Sequence, residues 1–150
     1  MSAPFPLTII GTTDFIDLPE FNLEDVACKI DTGADTSTIH CSGIKLIEKE
    51  GKTYLRFKVL DHKHPAWQNE VFEYQKFSEK TIRSSFGEAE KRYVIQTRVL
   101  LFGRSYPIYF TLSDRKKMRY PILLGKRFLK QHFLVDVNQK DLSYNLKSKA

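Results

Sequence analysis

Between residues 92 and 112 the chain runs two alternating apolar and polar segments, separated only by Phe102-Gly103-Arg104-Ser105. Tyr93, Ile95, Thr97, Val99 and Leu101 share one face at period two, while Arg92, Gln96 and Arg98 point the other way. This is the pattern of a half-buried strand that turns back on a second one. A lone hairpin is marginal in water, so its apolar face needs more sheet to lie on, and the rest of the sequence must supply it.

It does so in short pieces. Residues 26–30 (VACKI) read as a strand running into Asp31-Thr32-Gly33, and the β-branched stretch 36–40 reads as the next. Segments 44–47 and 54–60 flank Glu48-Lys49-Glu50-Gly51-Lys52, a second hairpin. Only 126–132, after Gly125, reads as helical, with Phe128, Leu129 and His132 on one face. The expected fold is therefore all-β with one short C-terminal helix. No repeat, Pro/Ser-rich linker or low-complexity stretch divides the 150 residues, so one domain over 1–150 is expected.

With 41% hydrophobic and 28% charged residues the chain can bury a core, which excludes a disordered protein. No apolar run approaches the roughly 20 residues of a membrane span, so no membrane association is expected. Met1-Ser2-Ala3-Pro4-Phe5-Pro6 lacks the basic and apolar regions of a secretion signal, and a cytoplasmic location is expected. Cys28 and Cys41 form no CxxC pair and read as buried thiols. Of the net charge of +6, residues 115–150 hold 10 Lys/Arg against 2 Asp/Glu. No glycine/aromatic nucleic-acid motif accompanies that basic stretch, so nucleic acid is not an expected partner.

One local signal carries chemistry: Ile30-Asp31-Thr32-Gly33-Ala34-Asp35-Thr36-Ser37. An acid at the end of an apolar strand, followed by a hydroxyl and a glycine, places a carboxylate where backbone N–H groups and the Thr32 hydroxyl can orient it. Gly33 permits close backbone approach or a positive φ. An ordinary Asx-turn has the same local sequence. A second segment, Tyr120-Pro121-Ile122-Leu123-Leu124-Gly125-Lys126-Arg127, is a buried-type strand ended by glycine ahead of the helical stretch.

Together, Ile30-Asp31-Thr32-Gly33-Ala34-Asp35 and Ile122-Leu123-Leu124-Gly125-Lys126-Arg127 resemble the paired signature of retropepsin-like aspartic proteases. Further blocks extend the likeness over about residues 10–137: Leu18-Pro19-Glu20, Thr36-Ser37 with His40, Arg83-Ser84-Ser85 with Gly87, and Thr111-Leu112-Ser113-Asp114-Arg115 with Met118. These are similar to a bacterial and archaeal family labelled ATP-dependent zinc proteases, whose members occur alone or alongside RimK-type glutamate ligases. Neither His-Glu-x-x-His nor a glycine-rich Lys-Ser/Thr phosphate loop is present, so no metal and no cofactor is expected. His62-Lys63-His64 offers two imidazoles without an evident third ligand, and is read as surface histidines.

The resemblance implies a retropepsin-like closed β-barrel and an aspartic endopeptidase acting on a peptide or protein substrate. Asp31 would be the catalytic acid/base. A single Asp lacks the partner that acid–base hydrolysis needs, and no second Asp-Thr/Ser-Gly occurs, so activity implies a homodimer. Thr32 would hydrogen-bond across the dimer axis and Gly33 would let a substrate carbonyl approach. Ala34, Asp35 and Leu123 would line the substrate site, with Ser84, Ser85, Phe86 and Gly87 forming a flap over it. Asp35 would pair with a base after the second glycine, either Lys126 or Arg127, of which only arginine offers a bidentate fork. His40 reads as a core residue. Segment 61–80, with Trp67 and Tyr74, reads as an insertion that covers the cleft or restricts access. The alternatives are a non-catalytic peptide- or partner-binding module on the same fold, associated with a RimK-type ligase, and, third, a zinc-dependent hydrolase.

Overall fold

The computed structural model describes residues 7–83, 86–114 and 119–149. Among the described residues there are eleven strands: β1 (Thr8–Ile10), β2 (Thr13–Leu18), β3 (Leu23–Ile30), β4 (Ser37–Lys49), β5 (Lys52–Val59), β6 (Val71–Tyr74), β7 (Ser78–Arg83), β8 (Ala89–Leu101), β9 (Arg104–Ser113), β10 (Ile122–Leu124) and β11 (Phe133–Val135). Two short helices follow late in the chain, α1 (Lys126–Leu129) and α2 (Leu142–Ser148). No helix among the described residues is long and apolar enough to cross a membrane.

The strands close on themselves. The order β10-β3-β2-β8-β9-β4 returns to β10 through an additional β4–β10 pairing, with β5 and β6 added outside β4 and β7 outside β8. Closure removes most sheet edges and encloses a core that includes Ile16, Ile39, Val99, Phe110 and Ile122. The fold is the expected all-β, retropepsin-like barrel. Along β8 the alternation holds: Ile95, Thr97, Val99 and Leu101 are buried, while Gln96 and Arg98 are exposed.

Both expected hairpins form, through two-residue turns. Glu50 and Gly51 have φ of 52° and 76°, and Phe102 and Gly103 have 53° and 70°. Paired left-handed residues match the twist of the flanking strands, which is why the turns are this short. The segments expected as separate strands at 36–40 and 44–47 are one strand, β4. Gly43, at φ +60°, lies where the β4–β5 register shifts between Ser42 and Lys45, so the strand bends there without ending.

The helical segment expected over 126–132 stops at Leu129. Lys130 is already extended and Gln131 has φ 73°, so His132 is off the helix, although its ring still meets Tyr106 edge-on with centroids 5.0 Å apart. Helix α2 is an addition to the sequence reading. Its first turn docks on Asp14, a buried strand residue 1% exposed, whose carboxylate accepts the Ser143 and Tyr144 N–H groups at 3.0 Å each. Phe15 packs on Tyr144 with ring centroids 4.7 Å apart. The basic tail is partly neutralised there, since Lys147 reaches both Asp17 and Asp25.

Candidate active site

Strand β10 is the key to the site. It lies between β3, with which it is parallel, and β4, with which it is antiparallel. Its Ile122 faces Cys28 on one side and Ile39 on the other. The loop 31–36 therefore leaves the ring beside the end of β10, and the Asp31 N–H donates to Leu124 O at 2.9 Å.

That loop folds against the start of α1. The Ala34 N–H donates to Asp31 O at 3.2 Å, Lys126 N–H to Ala34 O at 2.8 Å, and Arg127 N–H to Asp35 O at 3.1 Å. The Gly125 N–H donates to Ser37 Oγ at 3.0 Å. Gly125 is required sterically, because a Cβ there would stand 2.5 Å from Thr36 O. Buried hydroxyls finish the base: Thr38 and Thr111 share a hydrogen bond of 2.9 Å, and Thr111 also reaches Ser37 O.

Asp31 itself is only partly buried, and its Oδ1 accepts the Gly33 N–H at 3.0 Å. Thr32 and Gly33 are exposed. Gly33 is not in the left-handed region, and among the described residues an added Cβ would meet only Asp31 Oδ1, at 3.4 Å. Of the two uses open to this glycine, the positive φ is absent. Asp35 pairs with Arg127 (Nε to Oδ2, 3.2 Å), so the arginine takes the place left open between Lys126 and Arg127.

Ala34 and Asp35 lie on the Asp31 loop, and Leu123 lies next to it on β10, between Lys29 and Thr38 in register. Phe86 and Gly87 follow β7 in the β7–β8 hairpin, with Phe86 92% exposed and Gly87 at φ +83°. Ser84 and Ser85 lie outside the described residues. A groove of about 510 Å³ joins the loop side of the site to that hairpin, lined by Thr36 and Arg127, by Lys80 on β7, by Val94 on β8, and by Ile108 and Tyr109 on β9. Asp31 is not part of that lining. Nothing in the sequence marks Lys80, while Val94 and Tyr109 are signalled only by their outward register between the buried residues of β8 and β9.

The segment 61–80 divides in two. Its first part packs on the 3-10 turn Pro19–Phe21 and its flank, with Gln68 donating to Asn22 O at 2.7 Å, while Phe72 and Tyr74 of β6 join Phe21 and Phe57. Only Ser78, Glu79 and Lys80 line the groove.

His40 is buried, with Nε2 at 2.6 Å from Asp61 Oδ2. That bond, aided by the Lys63 N–H, holds the Asp61 carboxyl below the ordinary range. His64 is partly buried, which lowers its pKa, and its Nδ1 accepts the Ala66 N–H, while His62 sets its ring edge-on to Trp67. Among the described residues no group of three or more His, Cys, Asp or Glu could hold a metal ion. Burial pushes the thiols of Cys28 and Cys41 up, so both are poor nucleophiles.

A closed ring of strands, a short strand threaded between β3 and β4, and an Asp-Thr-Gly loop at its end define a retropepsin-like protein. Residues 9–145 match the model of the RimB-like family, described as retropepsin-like aspartic endopeptidase RimB, and the chain belongs to that family. A protein of Shewanella pealeana named probable alpha-L-glutamate ligase is 31% identical over 135 residues, covering 87% of this chain and 29% of its own length. One of Desulfotalea psychrophila with the same name is 29% identical over 140 residues, covering 91% and 29%. The chain thus spans under a third of these curated relatives. A crystal structure of Lpg0085 from Legionella pneumophila, a protein of unknown function (DUF785), is similar with a TM-score of 0.71 and 28% identity over 91% of this chain and 98% of that one.

Proposed function

We propose that the chain is an aspartic endopeptidase that hydrolyses peptide bonds as a homodimer, each subunit supplying one Asp31. The observation that carries this reading is the state of that carboxyl. It stands at a strand end, partly exposed, with Gly33 N–H donating to one oxygen, beside an exposed Thr32-Gly33.

Two such groups brought together by a two-fold axis cannot both ionise, and they share one proton. The ionised carboxyl takes a proton from water as the oxygen attacks the scissile carbonyl. The protonated one gives its proton to the carbonyl oxygen, and collapse of the tetrahedral species transfers a proton to the leaving amine. Thr32 ties the two loops across the axis, and the space over Gly33 admits the substrate backbone. Ala34, Asp35, Leu123 and the hairpin residues Phe86 and Gly87 contact substrate.

A second reading is favoured by the relatives named probable alpha-L-glutamate ligase, in which the matching region is 29% of the length. On it the chain is a non-catalytic module that binds a peptide or a RimK-type ligase. Purified wild type and Asp31→Asn, incubated with an unstructured peptide library, separate the two. Cleavage by wild type alone supports the protease, whereas no cleavage by either, with binding retained by both, supports the module.

A further inference from the structure

His40 and Asp61 stand at the opposite end of β10 from Asp31. The His40 N–H donates to Pro121 O at 2.7 Å, one residue before β10, and Leu124 O at the far end accepts the Asp31 N–H at 2.9 Å. The three residues between make a rigid link of roughly 10 Å. The His40 ring bridges two further segments. Nε2 meets Asp61 Oδ2 at 2.6 Å, and Nδ1 meets Ser113 O, the last residue of β9, at 3.4 Å, with Asp114 Oδ1 at 3.9 Å.

The Asp61 side of this junction is built rather than incidental. Leu60, fully buried, sits at φ 69°, a backbone state that a branched side chain occupies only when its surroundings impose it. Three bonds hold that corner: Leu60 N–H to His40 O at 2.9 Å, Ser42 Oγ to Leu60 O at 2.7 Å, and Lys63 N–H to Asp61 Oδ1 at 2.8 Å. One residue therefore ties the ends of β5 and β9 to β4 through its ring and holds the entry of β10 through its backbone N–H, all of it remote from the Asp31 carboxyl.

The geometry points to His40 as a positioning residue: held by Asp61, it fixes where β10 enters the barrel and, through β10, the placement of Asp31. It touches neither substrate nor reacting atoms. The catalytic consequence rests on the function proposed for Asp31, but the structural one does not.

Amide hydrogen exchange on the full chain tests it without any substrate. In Asp61→Asn, and in His40→Gln, the Asp31 amide should exchange at least tenfold faster, with amides in the middle of the β8–β9 hairpin unchanged. Ile39→Val, a core truncation at the same strand, should accelerate both sets together or neither. The double variant should equal either single one, because both break the same link. If Asp31 accelerates no more than the hairpin, or the two single effects add, the positioning role is overturned. Asp61→Asn is nearly isosteric and decides the matter alone if His40→Gln does not fold. With a cleavable peptide in hand, Asp61→Asn should lower kcat about tenfold at unchanged KM. Absence of cleavage by wild type would count against the protease reading, leaving the exchange result intact.

Discussion

Asp14 lies in β2 and Asp31 just beyond the end of the neighbouring β3, and the two are treated in opposite ways. Asp14 is 1% exposed and its carboxylate takes N–H groups from Phe15, Ser143 and Tyr144. Asp31 is partly exposed and accepts from Gly33 alone among the bonds of the described residues. A buried acid that is saturated by its own chain has its structural task done. An acid held by one donor at the surface has acceptor capacity left for something from outside. The same contrast divides the glycines: Gly125 is demanded by Thr36 O from within, whereas among the described residues a Cβ on Gly33 would meet only Asp31 Oδ1, at an ordinary contact distance of 3.4 Å.

The largest expected effect follows directly. Asp31→Asn should reduce peptide cleavage by roughly a thousandfold or more, with the melting temperature unchanged. Asp14→Ala should do the reverse. It strands the first N–H groups of α2 and should cost about 2–3 kcal/mol in denaturant unfolding, while each folded molecule keeps its activity. If Asp31→Asn unfolds the protein instead, the contrast between the two acids fails.

The glycine pair gives a smaller difference of the same kind. Gly125→Ala forces the loop and β10–α1 apart and should destabilise by about 2–4 kcal/mol. Gly33→Ala should leave stability within about 1 kcal/mol and lower cleavage at least tenfold by raising KM. Urea unfolding and steady-state kinetics on the two variants read both numbers.

The buried acids also differ in how they answer to pH. Burial raises the Asp14 carboxyl above its ordinary value, so its contribution to stability is largest in acid and is lost as pH rises through the raised value. The hydrogen bond from His40 lowers Asp61, so its contribution is present above the ordinary carboxylate range and lost as pH falls through the depressed value. Unfolding free energies measured from pH 7 to pH 3 should therefore fall less steeply in Asp61→Asn than in wild type, and more steeply in Asp14→Asn. Equal slopes would mean that neither group differs from its unfolded state.

Much of this was legible in the sequence, for identifiable reasons. The β8–β9 hairpin announces itself by period two, and the Asp31 loop and the 120–127 segment by their residue order, because both depend on neighbours in the chain. The joining of 36–40 and 44–47 into β4 was hidden by Gly43, which reads as a break and acts as a bend. Helix α2 was hidden because its anchor, Asp14, is 129 residues from Ser143, and because its N-cap Asp141 is left-handed with no side-chain cap bond. In sequence, His40 reads as a core residue. That matches its burial, but Asp61 as its partner is a matter of tertiary placement that spacing does not encode.

The smallest expected effect concerns the ion pair beside the site. Arg127 and Asp35 have side chains 68% and 61% exposed, and the Arg127 N–H bonds Asp35 O whatever the side chain is. An exposed pair of this kind contributes about 0.2–1 kcal/mol, so Arg127→Ala should shift the unfolding midpoint only slightly in dilute protein. Dimerisation through the loop side of the molecule would change the arithmetic, since a second copy would remove both groups from water and leave Asp35 buried without its partner in the variant. The loss should then grow with protein concentration, from the surface value toward several-fold more as dimer accumulates. Unfolding curves at two concentrations a hundredfold apart measure this, and a concentration-independent loss would place the pair outside any such interface.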